Sequence, residues 1–264
     1  MTPKFRKILA ITIRVPFVVA LAFTSVFLAF HLEGTARIVY IALLFSVSAV
    51  TLIWYAVHSS RMGKQISALL DVLYKEMNVD KFISESEALL KKTKSRAIRN
   101  TISLNLAVGY EAKGEFEEAI RVMKSIDVEK ADTVSKAMFF SNATAFYAQS
   151  GAPFEASEAY TSGKPYFEKA EKSLSKAHLL FSRGLYFFAE DRFEDALDSF
   201  EKARGAGFDD RHSMTRLQLF EARALVKLGK EKEAKAMYHK VLQKNTYPYL
   251  LSSAKAELES LENK

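Results

Sequence analysis

The chain has no cysteine in 264 residues. That excludes disulfide frameworks, thiolate zinc sites, iron–sulfur clusters and cysteine nucleophiles together. Glycine and proline are sparse, at 10 and 5, so turns are few and long helices are the natural expectation. A charge excess of one sign is missing from most of the chain as well. Overall 38 basic side chains face 31 acidic ones, but the first 63 residues hold six basic groups (Lys4, Arg6, Lys7, Arg14, Arg37, Arg61) against Glu33 alone. Residues 64–264 are therefore close to neutral, whereas a nucleic-acid-binding domain usually carries a strongly basic face. No nucleic acid is expected as a partner.

Signatures of catalysis are absent too. No GxSxG elbow, HExxH, Walker loop or dinucleotide-binding glycine pattern occurs. The five histidines (His31, His58, His178, His212, His239) never stand four residues apart, so they read as isolated polar positions and not as metal ligands. Arg204-Gly205-Ala206-Gly207 follows a helical pattern and reads as a helix stop. No cofactor or metal is expected, and the chain is not expected to be an enzyme. The run Lys91-Lys92-Thr93-Lys94-Ser95-Arg96, with Arg99, reads as a solvated face, with contact to anionic lipid headgroups as the alternative.

What the chain does have begins with two apolar stretches. From Ile38 to Val57 runs IVYIALLFSVSAVTLIWYAV without one charge. As a helix it reaches about 30 Å, the thickness of a bilayer's hydrocarbon core. Upstream, VPFVVALAFTSVFLAF at 15–30 is also uncharged, and it gains spanning length through Ile8–Ile13 if Arg14 snorkels to the headgroups. Two transmembrane helices, about 8–30 and 38–57, are expected, linked by HLEGTAR with Gly34 at the turn. The rival for the first is a cleaved signal peptide with Ala20-Leu21-Ala22 as its box. Positive charge before the first span and after the second places both termini in the cytoplasm, in the cell membrane. The expected anchor is residues 1–63, followed by a helical repeat domain at 64–264.

In that second part a phrase recurs. It reads GYEAKGEFEEAIRVM at 109–123, FYAQSGAPFEASEAY at 146–160, YFFAEDRFEDALDSF at 186–200 and ALVKLGKEKEAKAMY at 224–238. Tyr110, Tyr147, Phe187 and Leu225 are each followed nine residues later by Ala119, Ala156, Ala196 and Ala234, which lie 37, 40 and 38 residues apart. Four residues beyond the alanines come Met123, Tyr160, Phe200 and Tyr238. The pattern predicts paired helices that turn at Gly114, Gly151 or Gly229. Alanine marks their closest approach, and large side chains fill the space between neighbouring pairs. One hairpin cannot bury its apolar face alone, so such units stack. A looser unit is expected at 66–92, repeats at 96–245 and a capping helix at 249–261.

These residues resemble the tetratricopeptide repeat family, although the spacing exceeds its 34-residue unit and its tryptophan is absent from the repeats. The resemblance implies an all-α solenoid whose first helices line a groove for an extended peptide or partner helix. The alternative is an irregular helical bundle. Carried onto this chain, the expected groove includes Asn105, Asn142, Gln149, Ser182, Arg216, Arg223 and Lys227. Asn105 and Asn142 fall at one repeat position, where the family often holds a ligand's backbone, and the three cations would make one end basic. The family's clamp for a C-terminal carboxylate is not matched beyond Asn142, since Leu104, Val108, His178 and Ser182 stand where its other members belong.

The leading functional expectation is a membrane-tethered scaffold that presents this groove to cytoplasmic proteins. A structural subunit of a secretion or division apparatus, or a regulator of a partner enzyme, are the alternatives. The expected partners are a protein or peptide and, through the N-terminal helices, the lipid bilayer.

Overall fold

The computed structural model describes residues 25, 28, 30–172, 174–208 and 210–263. The first expected span, 8–30, lies almost entirely outside them. Among the described residues there is no strand, and eleven helices follow one another from Gly34 to Glu262. Two compact units divide the chain, Met1–Gln65 and Ile66–Lys264.

Helix α1 (Gly34–Tyr74) contains the one described segment long and apolar enough to cross a bilayer, Gly34–Trp54, none of which is buried. Gly34 has a positive φ of 57°, and the helix starts there. Thr35, Ala36 and Arg37, read above as link, are therefore already helical. The helix also passes Val57, the expected end of the span, and ends at Tyr74, where Met77 turns left-handed at φ 56° and the Asn78 amide donates back to the Val72 carbonyl at 3.1 Å.

The second unit continues with α2 (Val79–Lys92), α3 (Arg96–Lys113), α4 (Phe116–Lys124), α5 (Thr133–Gln149) and α6 (Pro153–Ala170). Then come α7 (Lys176–Ala189), α8 (Phe193–Ala206), α9 (Arg211–Lys227), α10 (Glu231–Leu242) and α11 (Pro248–Glu262). Helices α3–α4, α5–α6, α7–α8 and α9–α10 pack as hairpins. Each hairpin turns on one left-handed residue at the same repeat position: Gly114, Gly151, Asp191 and Gly229, with φ between 56° and 86°. In every case the next amide reaches back to close the helix at 2.9 Å, Glu115 to Tyr110, Ala152 to Tyr147, Arg192 to Phe187 and Lys230 to Leu225. This is the six-to-one bond of a Schellman stop, which satisfies a carbonyl the helix end leaves open. Carboxylates in the following first turns, such as Glu117, Glu155, Glu194 and Glu231, favour the positive helix start.

Ala119, Ala156, Ala196 and Ala234 are fully buried, as close helix approach requires. Gly184 has the same role on α7. A Cβ there would stand 2.3 Å from the Phe200 ring, itself fully buried, so even alanine would force the core apart. The basic run after α2 is partly absorbed into structure: the Arg99 guanidinium donates to the Leu90 and Thr93 carbonyls and closes that helix end.

One feature of the second unit departs from an open array. Tyr247 packs with Leu73, Phe82 and Ala112 in one core cluster, and its hydroxyl donates to the Leu73 carbonyl at 3.4 Å. Helix α11 also touches α3. The last linker therefore meets the first helices of this unit.

Candidate functional site

The first helices of the hairpins, α3, α5, α7 and α9, carry the residues expected to line a groove. Asn105 is half-buried at a small cavity of about 50 Å³ between α3 and α5, with Thr101, Leu104 and Met138 beside it. Asn142 is also half-buried. Neither asparagine side chain makes a hydrogen bond among the described residues.

Ser182 is buried, and its hydroxyl donates to the His178 carbonyl at 3.0 Å. A hydroxyl has one proton to give, so the 2.7 Å contact with Ser141 is a bond that Ser141 donates. Ser182 thus ties α7 to α5 instead of facing a ligand. Gln149 donates through Nε2 to the Ala145 carbonyl, and its oxygen lies 3.1 Å from the Tyr249 hydroxyl.

The expected basic end is mostly neutralised from within. Arg216 bonds Glu111 at 2.9 Å, with side chains only 14% and 5% exposed. The guanidinium also lies 5.2 Å from the centre of the Phe181 ring. Tyr249 donates to the same Glu111 oxygen at 2.6 Å. Burial acts against the charged guanidinium of Arg216, yet Glu111, Tyr249 and Asp210 outweigh it and hold its pKa above the ordinary value. Burial, then Glu111, pushes the Tyr249 phenol well up. Arg223 forms a two-pronged bond with Glu257 of α11 at 2.6–3.1 Å, and Tyr238 donates to Glu257 at 2.8 Å. Only Lys227 is exposed; it borders an open cavity of about 260 Å³ with Phe188, Arg223 and Glu257. The repeat spacing carried no signal for the acidic partners of these cations, Glu111 and Glu257.

Beside this cluster, His212 stacks on Tyr247 with centroids 3.8 Å apart and planes at 15°. Its Nδ1 lies 2.9 Å from the Thr246 hydroxyl. It is therefore not the isolated surface histidine that the sequence suggested. Burial lowers its pKa, helped by Arg211 and Arg216 and opposed by Asp210 and Glu111. In the unfolded chain a histidine titrates near 6.5, so on acidification the unfolded state takes up the proton first. The folding stability tied to neutral His212 is complete above pH 6.5 and declines as pH falls towards the folded value. Denaturation of the full chain should thus show a steeper stability loss from neutral to mildly acidic pH than His212→Phe. Parallel profiles would exclude His212 as the source.

Among the described residues no group of three or more histidine, aspartate or glutamate side chains is placed to hold a metal. What the fold and this face define is a solenoid of helical hairpins whose last linker returns to its first helices. No protein-family model matches the chain, and no curated protein matches it in sequence. Among solved structures the chain resembles tetratricopeptide repeat proteins. One, from Parabacteroides merdae, is 15% identical, with 77% of this chain and 74% of that one covered and a TM-score of 0.40. A Podosopora anserina chain of nearly identical TPR-like repeats is 20% identical, covering 69% of this chain and 93% of that one, with a TM-score of 0.45. A variant of it gives 20%, 70%, 94% and 0.46 in the same order.

Proposed function

We propose that this protein is a membrane-tethered scaffold that binds other proteins in the cytoplasm, with an extended partner segment lying along the inner face of α3 and α5. The observation that carries this reading is the pair Asn105 and Asn142. They occupy one repeat position on neighbouring helices, half-buried and unbonded among the described residues. An extended peptide offers both a donor and an acceptor at each residue, which suits such carboxamides. Lys227 adds a single positive charge for an acidic group further along. The tether rests on Gly34–Trp54, whose apolar side chains are uncovered, and the orientation rests on Lys4, Arg6 and Lys7 before the first apolar stretch and Arg61 and Lys64 after the second.

Two measurements test this. Alkaline carbonate washing should leave the full chain in the membrane pellet, whereas a mature N-terminus beyond the apolar stretch would establish a cleaved signal sequence. A photocrosslinker at Thr101 in intact membranes should capture a defined polypeptide. Asn105→Ala with Asn142→Ala should weaken that capture by about tenfold, the effect of losing roughly one hydrogen bond's net contribution at each site. Undiminished capture would move the binding face elsewhere.

A further inference from the structure

The four hairpins are not equally filled. At the position four residues beyond the conserved-spacing alanines, three units place a ring: Tyr160, Phe200 and Tyr238. Tyr160 stacks on Tyr186 at 4.6 Å and closes the space between its hairpin and the next. The first unit has Met123 instead, opposite Phe146, the register equivalent of Tyr186. Helix α4 is also short, nine residues against eighteen in α6. With a thinner side chain and half the helix, the space between α4, α5 and α6 stays open, and a cavity of about 230 Å³ remains there.

Its floor is apolar and largely aromatic, with Phe139, Phe140 and Phe146. The mouth is polar and asymmetric: Glu155 and Glu158 stand on the α6 side and Lys124 on the α4 side. None of the three forms an ion pair among the described residues. Glu155 lies in the first turn of α6, where the helix dipole accounts for it. Glu158 lies beyond that turn and has no such explanation. Phe154, one residue before Glu155 in the chain, is 76% exposed.

We propose that this cavity on the α4–α6 side is a second docking site, one that receives a partner protein's aromatic or large aliphatic anchor with an arginine or lysine about one helical turn away. Two observations select that occupant. The volume is below the roughly 300–1,000 Å³ of small-molecule pockets and suits one large side chain, the kind of buried anchor that dominates interface energy. The unpaired carboxylates on α6 complement a cation beside the anchor. The cavity shares only Phe139 with the one beside Asn105, and the proposal stands whether or not the inner face binds anything.

The test uses the full chain in nanodiscs and a displayed library of random peptides. Enriched peptides should pair an aromatic or large aliphatic residue with a basic one three or four positions away. Ser162→Trp, at an exposed position on the rim, should plug the cavity and weaken the selected peptides about tenfold or more, as loss of an interface anchor does. Glu155→Lys with Glu158→Lys should weaken them similarly, since both side chains are exposed and their reversal leaves the fold intact. Asn105→Ala with Asn142→Ala should leave this binding unchanged. The proposal is overturned if no peptide is enriched, if the enriched ones lack the anchor-and-cation pair, or if they bind the plugged variant as well as the parent. It is overturned equally if the asparagine changes, and not the cavity changes, remove binding.

Discussion

Glu111→Ala is expected to destabilise the folded chain by about 3–5 kcal/mol, the usual consequence of stripping one member from a buried ion pair. Glu111 is the shared acceptor for Arg216 and Tyr249, groups brought to it from 105 and 138 residues away. Without it the Arg216 guanidinium stays enclosed, and its Nε already lacks a hydrogen-bond partner. The Tyr249 hydroxyl would keep only Gln149. Because the pair joins α9 and the start of α11 to α3, its loss should also loosen the closure of the second unit, read as faster amide exchange in α11. Glu111→Leu combined with Arg216→Leu should cost far less than Glu111→Ala, because no charge is then left buried. Denaturant unfolding of the full chain in mild detergent, followed by circular dichroism, measures all three. A Glu111→Ala protein as stable as the parent would show that the cluster does not hold the fold closed.

Ala196→Trp should be comparably damaging, at about 4 kcal/mol or more, for a steric and not an electrostatic reason. Ala196 is fully buried and belongs to one core cluster with Leu185, Phe200 and Phe220. An indole has no room there unless α7 and α8 separate. Arg223→Ala makes the informative contrast. A cation merely facing an open groove would leave the melting temperature unchanged on removal. In this structure it clasps Glu257 and lies over Phe220 at 4.9 Å, both partners being partly solvated, so a loss of about 1 kcal/mol is expected. Thermal melts of the two variants side by side decide the register: equal shifts would mean that Ala196 is not at the helix contact.

Much of the hairpin architecture was legible because its physics is local. Gly114, Gly151 and Gly229 take the left-handed conformation that glycine accepts without penalty, so their spacing announced three turns. The third turn uses Asp191, a residue that tolerates this conformation but also appears in helices and loops, and nothing in Glu190-Asp191-Arg192 marks it. Asn105 and Asn142 were singled out as candidates by repeat register alone. Glu111, Tyr247 and Tyr249 were missed, since no periodicity relates them to Arg216 or Leu73.

By itself the sequence determined the helical class, the apolar stretch near the start, the period of the hairpins and the alanines at their contacts. Each of these follows from residue type at short spacing, where backbone preference and side-chain volume act within one or two turns. Only the tertiary structure decided that the last linker returns to the first helices, that Arg216 and Arg223 are consumed by Glu111 and Glu257, and that Met123 leaves a cavity where other units have rings. Those outcomes depend on how small rotations between successive hairpins accumulate, a sum over the whole array that no single repeat encodes.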